Sequence, residues 1–108
     1  MHFAERKVAE YFVDVVLRDP DKRISVRGDD EGYDVCKSSE HFTVLDNMGQ
    51  CDSDVVCVWS HAEDKYVGFF WFVYGNVTST SEAIEVISDY SANEYADSIV
   101  SQLEEMTQ

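Results

Sequence analysis

KYVGFFWFVYGN, Lys65 to Asn76, is the stretch on which the reading of this chain turns. From Val67 to Tyr74 every position is apolar, aromatic or glycine. A strand with one wet face alternates apolar and polar residues, so a run without alternation implies that both faces are covered, by the chain itself or by a partner. Gly75 and Asn76 end it as turn residues. Just upstream, DVVCVWS (Asp54 to Ser60) is equally rich in β-branched and aromatic residues, and the polar HAEDK between the two reads as a hairpin loop. This pair is the centre of a sheet.

Working outward, Val8, Tyr11, Phe12, Val15 and Val16 fall at i, i+3, i+4, i+7 and i+8, which predicts an amphipathic helix over about residues 3–18, ended by Asp19-Pro20-Asp21. Arg23-Ile24-Ser25-Val26-Arg27 alternates cleanly, with Ile24 and Val26 toward the core and the two arginines out. Gly28 to Gly32 is a turn and Tyr33-Asp34-Val35 the hairpin's return strand. Ser38 or Ser39 can cap a short helix carrying Phe42, Leu45 and Met48, stopped by Gly49, although Thr43 and Val44 also suit a strand. Residues 82–90 fit helix or strand. Residues 92–106 predict a helix, with Tyr95, Ile99, Leu103 and Met106 on one side and Glu94, Asp97, Ser101 and Glu104 or Glu105 on another.

That order predicts a single α+β domain over 1–108: an antiparallel sheet of about four strands with N-terminal and C-terminal helices packed on it. The two long helices are expected on opposite faces of the Val67–Tyr74 strand. The rival expectation leaves one face for a partner, either Phe70, Phe72 and Tyr74 or Val67, Phe69, Trp71 and Val73.

The formal net charge is −14, unevenly spread. Residues 1–37 hold seven cations against nine anions, whereas residues 38–108 hold Lys65 alone against thirteen anions. Such a chain repels nucleic acid and anionic membranes and attracts basic protein surfaces, so DNA and RNA are disfavoured as direct ligands and a protein that itself handles nucleic acid is favoured as partner. Acidity that serves solubility alone is the plainer explanation. No leader pattern precedes the first helix and no apolar run approaches the roughly 20 residues that span a bilayer, which leads to the expectation of a cytoplasmic protein without membrane contact. The odd set of Cys36, Cys51 and Cys57 argues against a disulfide framework and suits a reducing compartment.

Catalytic and metal signatures are weak. Cys36, Cys51, Cys57 and His61 approach a Cys3His zinc pattern, but the first gap is too long, basic residues are missing, and Cys57 lies inside an apolar strand, so no metal is expected. His41 or His61 with carboxylates, and Cys36 or Cys51 with a histidine, lack any diagnostic local pattern, so no enzyme and no cofactor are expected. Asp29-Asp30-Glu31 and Asp52-x-Asp54 lack EF-hand spacing. Gly28-x3-Gly32 lacks the lysine of a phosphate loop, and the Asn76-Val77-Thr78 sequon is read as chance. What remains is the carboxylate series. On a helix Glu82, Glu85 and Asp89 would share one stripe and Glu94, Asp97 and Glu104 another, with no lysine to relieve the repulsion.

Val67-Gly68-Phe69-Phe70-Trp71-Phe72-Val73-Tyr74-Gly75-Asn76, followed by Glu85-Val86-Ile87-Ser88-Asp89-Tyr90-Ser91, resembles a pattern of small phage and prophage proteins in which a Gly-aromatic strand ends in Tyr-Gly-Asn and precedes a Glu-Val-Ile-Ala-Asp-Tyr-like stretch. Ser88 stands where that pattern has alanine, and the Val77–Ala83 segment is longer here. That family has no assigned activity, so the resemblance implies a phage context. In size and charge the chain is also similar to acidic phage proteins that imitate nucleic acid, among them inhibitors of CRISPR and restriction complexes. The resulting expectation is a non-enzymatic inhibitor that binds a basic, nucleic-acid-handling host protein through Glu82, Glu85, Asp89, Glu94, Asp97, Glu104 and Glu105, helped by Asp52, Asp54, Glu63 and Asp64. A homodimer or complex subunit joined through an aromatic sheet face is the alternative, and a small enzyme the third class.

Overall fold

The computed structural model describes residues 2–28, 32–75, 77 and 80–107, with the side chains of residues 80–82 left aside. Asp29, Asp30, Glu31 and Asn76 therefore lie outside the described residues. The chain is α+β: α1 (Phe3–Leu17), β1 (Lys22–Arg27), β2 (Val35–Ser38), α2 (His41–Asn47), β3 (Ser53–Ser60), β4 (Lys65–Val73), a 3-10 turn η1 (Thr80–Val86), β5 (Ile87–Tyr90) and α3 (Glu94–Met106). The strands form one antiparallel sheet in the order β2-β1-β3-β4-β5. There are five strands rather than about four, because the ambiguous 82–90 segment divides: its first part winds as η1 and Ile87 to Tyr90 pair with β4.

The register sorts the apolar residues of β4 onto two faces. Ile24 pairs with Val58 and Val26 with Val56, while Val56 pairs with Phe70 and Asp54 with Phe72. This parity set faces the helices: Ile24, Val26, Val56, Val58, Phe70 and Phe72 are all fully buried in one cluster with residues of α1 and α3. Phe12 of α1 meets Phe70 and Phe72 edge-on, with ring centroids 4.8 and 5.2 Å apart. Ala96, Ile99, Val100 and Leu103 of α3 complete the cluster. Both long helices thus lie on the same side of the sheet, contrary to the expectation that they cover opposite faces, and the other face has no helix among the described residues. The apolar stripes of two helices side by side match the width of one sheet face, which makes a two-layer fold with one core.

Local chemistry fixes each helix. His2 caps α1 through Nδ1, which accepts from the Ala4 N–H, and the Glu5 carboxylate accepts from the His2 N–H in return. Asn93 caps α3, its Oδ1 accepting from Ala96 N–H at 2.8 Å while its Nδ2 donates to the Val67 carbonyl of β4. A Cβ at Gly68 would lie 3.1 Å from the Phe70 ring and 3.2 Å from the Tyr95 ring, tighter than ordinary contact, so glycine eases the approach of α3 to β4. α2 is capped by Glu40 without a side-chain bond, not by Ser38 or Ser39, and Phe42 is 79% exposed rather than buried; Val44, Leu45 and Met48 face inward instead. Gly49, at φ 80°, provides the expected stop.

Candidate functional site

The carboxylates singled out by sequence do not form one surface. Glu63 and Asp64 sit on the β3–β4 turn and Glu94 at the start of α3; Glu63 and Glu94 line one shallow cavity of about 380 Å³ with Lys22, Lys65 and Tyr95. Asp97 lies one turn further along α3 and Glu104 and Glu105 near its far end, all exposed. Asp52 is exposed at the other end of β3, beside Gln50, Cys51 and Tyr74. Glu85 is exposed on η1, and the Glu82 side chain lies outside the described residues. The stripe Glu82-Glu85-Asp89 does not exist as a helix face, because the chain changes from η1 to β5 between Glu85 and Asp89.

Asp54 is the clearest departure. It is 2% exposed on the helix-covered side, where its Oδ2 accepts the Tyr74 hydroxyl at 2.6 Å and the Gly49 N–H at 2.8 Å. Burial, together with this carboxylate, pushes the Tyr74 hydroxyl far above its ordinary pKa, so Tyr74 stays a donor. Asp54 therefore joins the end of β4 to the turn after α2 and is not part of an outward acidic surface.

The uncovered face of the sheet consists of the opposite parity set. One row across four adjacent strands is Arg27, Val55, Trp71 and Asp89, the next contains Ser25, Cys57 and Phe69, and a third Arg23, Trp59 and Tyr66. Trp71 is 39% exposed, and Val55, Trp59, Tyr66, Phe69 and Val73 are half-buried. The β1–β2 arm partly roofs one side. Tyr33 stacks against Tyr66, and Lys37, held at φ 50° with its N–H on the Ser25 hydroxyl, lays its ammonium 3.7 Å above the Trp59 ring. Ser25 and Cys57 are buried beneath this arm, and burial raises the Cys57 thiol to about 11.

Half of the lysines and arginines are paired locally. Among the described residues Arg6 is paired with Glu10, Arg18 with Asp14, Lys22 with Asp19 and Asp21, and Lys65 with Glu63. Arg23, Arg27 and Lys37 have no carboxylate within ion-pair distance among the described residues and belong to the strands of the open face; Arg23 donates to the Pro20 and Lys22 carbonyls, and Arg27 lies over Tyr33, while Lys7 of α1 is likewise without an ion pair and lies over Tyr11. α3, on the other side, carries Glu94, Asp97, Glu104 and Glu105 and no cation. The sequence already turned Arg23 and Arg27 outward by alternation. It did not reveal that Lys37, Trp59, Val55 and Asp89 share their face, since that depends on strand order.

Cys36 is exposed, Cys51 half-buried and Cys57 buried, and no cluster of three or more metal-ligating side chains occurs among the described residues. No described helix is long and apolar enough to cross a membrane. Comparison with protein-family models, with curated proteins and with solved structures finds no match to this chain.

Proposed function

We propose that the chain is a non-enzymatic acidic binding protein that docks on the basic, nucleic-acid-handling surface of another protein and keeps nucleic acid off it. The observation that carries this reading is the outward side of α3: four exposed carboxylates along 13 residues, with no lysine or arginine on the helix itself. At 1.5 Å per residue these charges extend over about 16 Å, a span on which a duplex strand presents several phosphates. Glu94 and Asp97 in the first turn suit the helix dipole, whereas Glu104 and Glu105 near the C-terminal end oppose it, so that second pair costs stability without an internal return. Glu63 and Asp64 lie on the β3–β4 turn past the N-terminal end of α3, where Lys65 pairs with Glu63 and leaves Asp64 as the added charge. The resemblance to small phage proteins supports a phage context, with host cytoplasm as the place, and the similarity in size and charge to acidic phage inhibitors supports a host CRISPR effector or restriction enzyme as the class of target.

The test is displacement. Purified effector and restriction proteins, each loaded with labelled nucleic acid, are titrated with the protein, and release from at least one is expected. The variant Glu94→Gln/Asp97→Asn/Glu104→Gln/Glu105→Gln, still folded, should release little. Failure to displace from any target, or equal displacement by the variant, would reject the reading.

A further inference from the structure

The row Arg27, Val55, Trp71, Asp89 runs straight across β1, β3, β4 and β5 on the open face, with a cation at one end, an anion at the other and apolar side chains between. At a strand spacing of about 4.8 Å its ends are roughly 14 Å apart. A row of this kind is complementary to itself. A two-fold axis parallel to the strands, lying between β3 and β4, sets β1 over β5 and β3 over β4, so that Arg27 of one copy meets Asp89 of the other, twice, and Val55 meets Trp71. An axis perpendicular to the strands would instead set β1 on β1 and bring Arg23 and Arg27 of the two copies together, which like charges disfavour.

We propose that the occupant of the open sheet face is a second copy of this chain, related by the strand-parallel two-fold. Beyond the β1–β2 arm, which already covers Trp59 and Tyr66, two sheets packed face to face at about 10 Å enclose Val55, Phe69, Trp71 and Val73 from each copy, an apolar surface that a lone soluble sheet rarely leaves wet. The contact is isologous, as closed dimers require. Both helix layers then face outward, so the acidic side of α3 stays free in each copy, and this inference stands independently of what α3 binds. It also answers why β4 is apolar on both faces: one face meets α1 and α3, the other meets β3 of the partner.

The experiment is sedimentation equilibrium on the full chain across protein concentration and salt. A mass twice 12.4 kDa is expected at concentrations on the order of 10 µM, persisting in high salt because screening relieves repulsion between two acidic copies. Arg27→Asp and Asp89→Arg, both at exposed positions, should each weaken association at least about tenfold, and the double variant Arg27→Asp/Asp89→Arg should restore it. Trp71→Ala should dissociate the dimer while the far-UV spectrum and melting cooperativity stay native. A monomer at all concentrations, a dimer indifferent to either reversal, or a double variant that stays monomeric would overturn the proposal. So would tight binding of labelled single-stranded RNA to the wild type that is lost in Trp71→Ala, since the aromatic face would then be a base-stacking platform.

Discussion

The carboxylate of Glu5 accepts the Gly75 N–H at 2.6 Å across 70 residues of sequence, joining the first turn of α1 to the end of β4. Its other oxygen accepts the His2 N–H at 2.8 Å, and the side chain is fully buried. A buried acid is therefore used as a backbone clamp, with both oxygens engaged. Glu5→Ala removes the acceptor from two N–H groups and is expected to cost about 2 to 3 kcal/mol, read as a lower urea midpoint at unchanged slope. A loss under about 0.5 kcal/mol would mean that the clamp contributes nothing.

Phe70 and Trp71 are neighbours in sequence on opposite faces of β4, one fully buried against Phe12 and the other 39% exposed. Phe70→Ala should destabilise by about 3 to 5 kcal/mol, the scale for deleting a core aromatic, whereas Trp71→Ala should cost less than about 1 kcal/mol in a dilute sample. The comparison is made by chemical denaturation at concentrations low enough to exclude association. Equal losses would place Trp71 in a covered core and reject the open face.

That pair also marks the limit of the sequence. Alternation in Arg23–Arg27 identified the inward Ile24 and Val26, and the unbroken run Val67–Tyr74 marked the central strand, of which the structure covers one face with helices and leaves Trp71 exposed on the other. Nothing local could say that α1 and α3 share one side, because that follows from packing two apolar stripes together and from Gly68 admitting Tyr95. Asp54 was legible in principle: it has the parity of Val56 and Val58, which puts it among core residues, but its acidity drew it into the outward set. The fate of 82–90 was not legible, since Ile84, Val86, Ile87 and Tyr90 fit either period and the pairing with β4 decides.

Asp21 should shape the acid limb of stability. Its carboxylate accepts from the Ser60 hydroxyl, the Lys22 ammonium and the Ala62 N–H, and these bonds hold its pKa well below the usual carboxylate range. A depressed native pKa gives stability that is complete above the unfolded value, near 4, and is lost as pH falls toward the native one. Melting temperature measured from pH 7 to pH 2 should thus drop below about pH 4, and Asp21→Asn should lower the neutral-pH value while flattening that drop. An equally steep acid limb in the variant would assign the effect to other carboxylates.

The most direct test of the central claim is the salt dependence of the affinity for whichever nucleic-acid-handling protein the chain displaces from its ligand. Calorimetric titration at several salt concentrations gives the slope of log affinity against log salt for the wild type, for Glu94→Gln/Asp97→Asn/Glu104→Gln/Glu105→Gln, and for Trp71→Ala. If the acidic side of α3 is the docking surface, the charge-neutralised variant should bind more weakly with a slope reduced by at least about half, while Trp71→Ala keeps the wild-type slope. An unchanged slope in the neutralised variant, with affinity lost only in Trp71→Ala, would contradict the account and move the partner to the open face of the sheet.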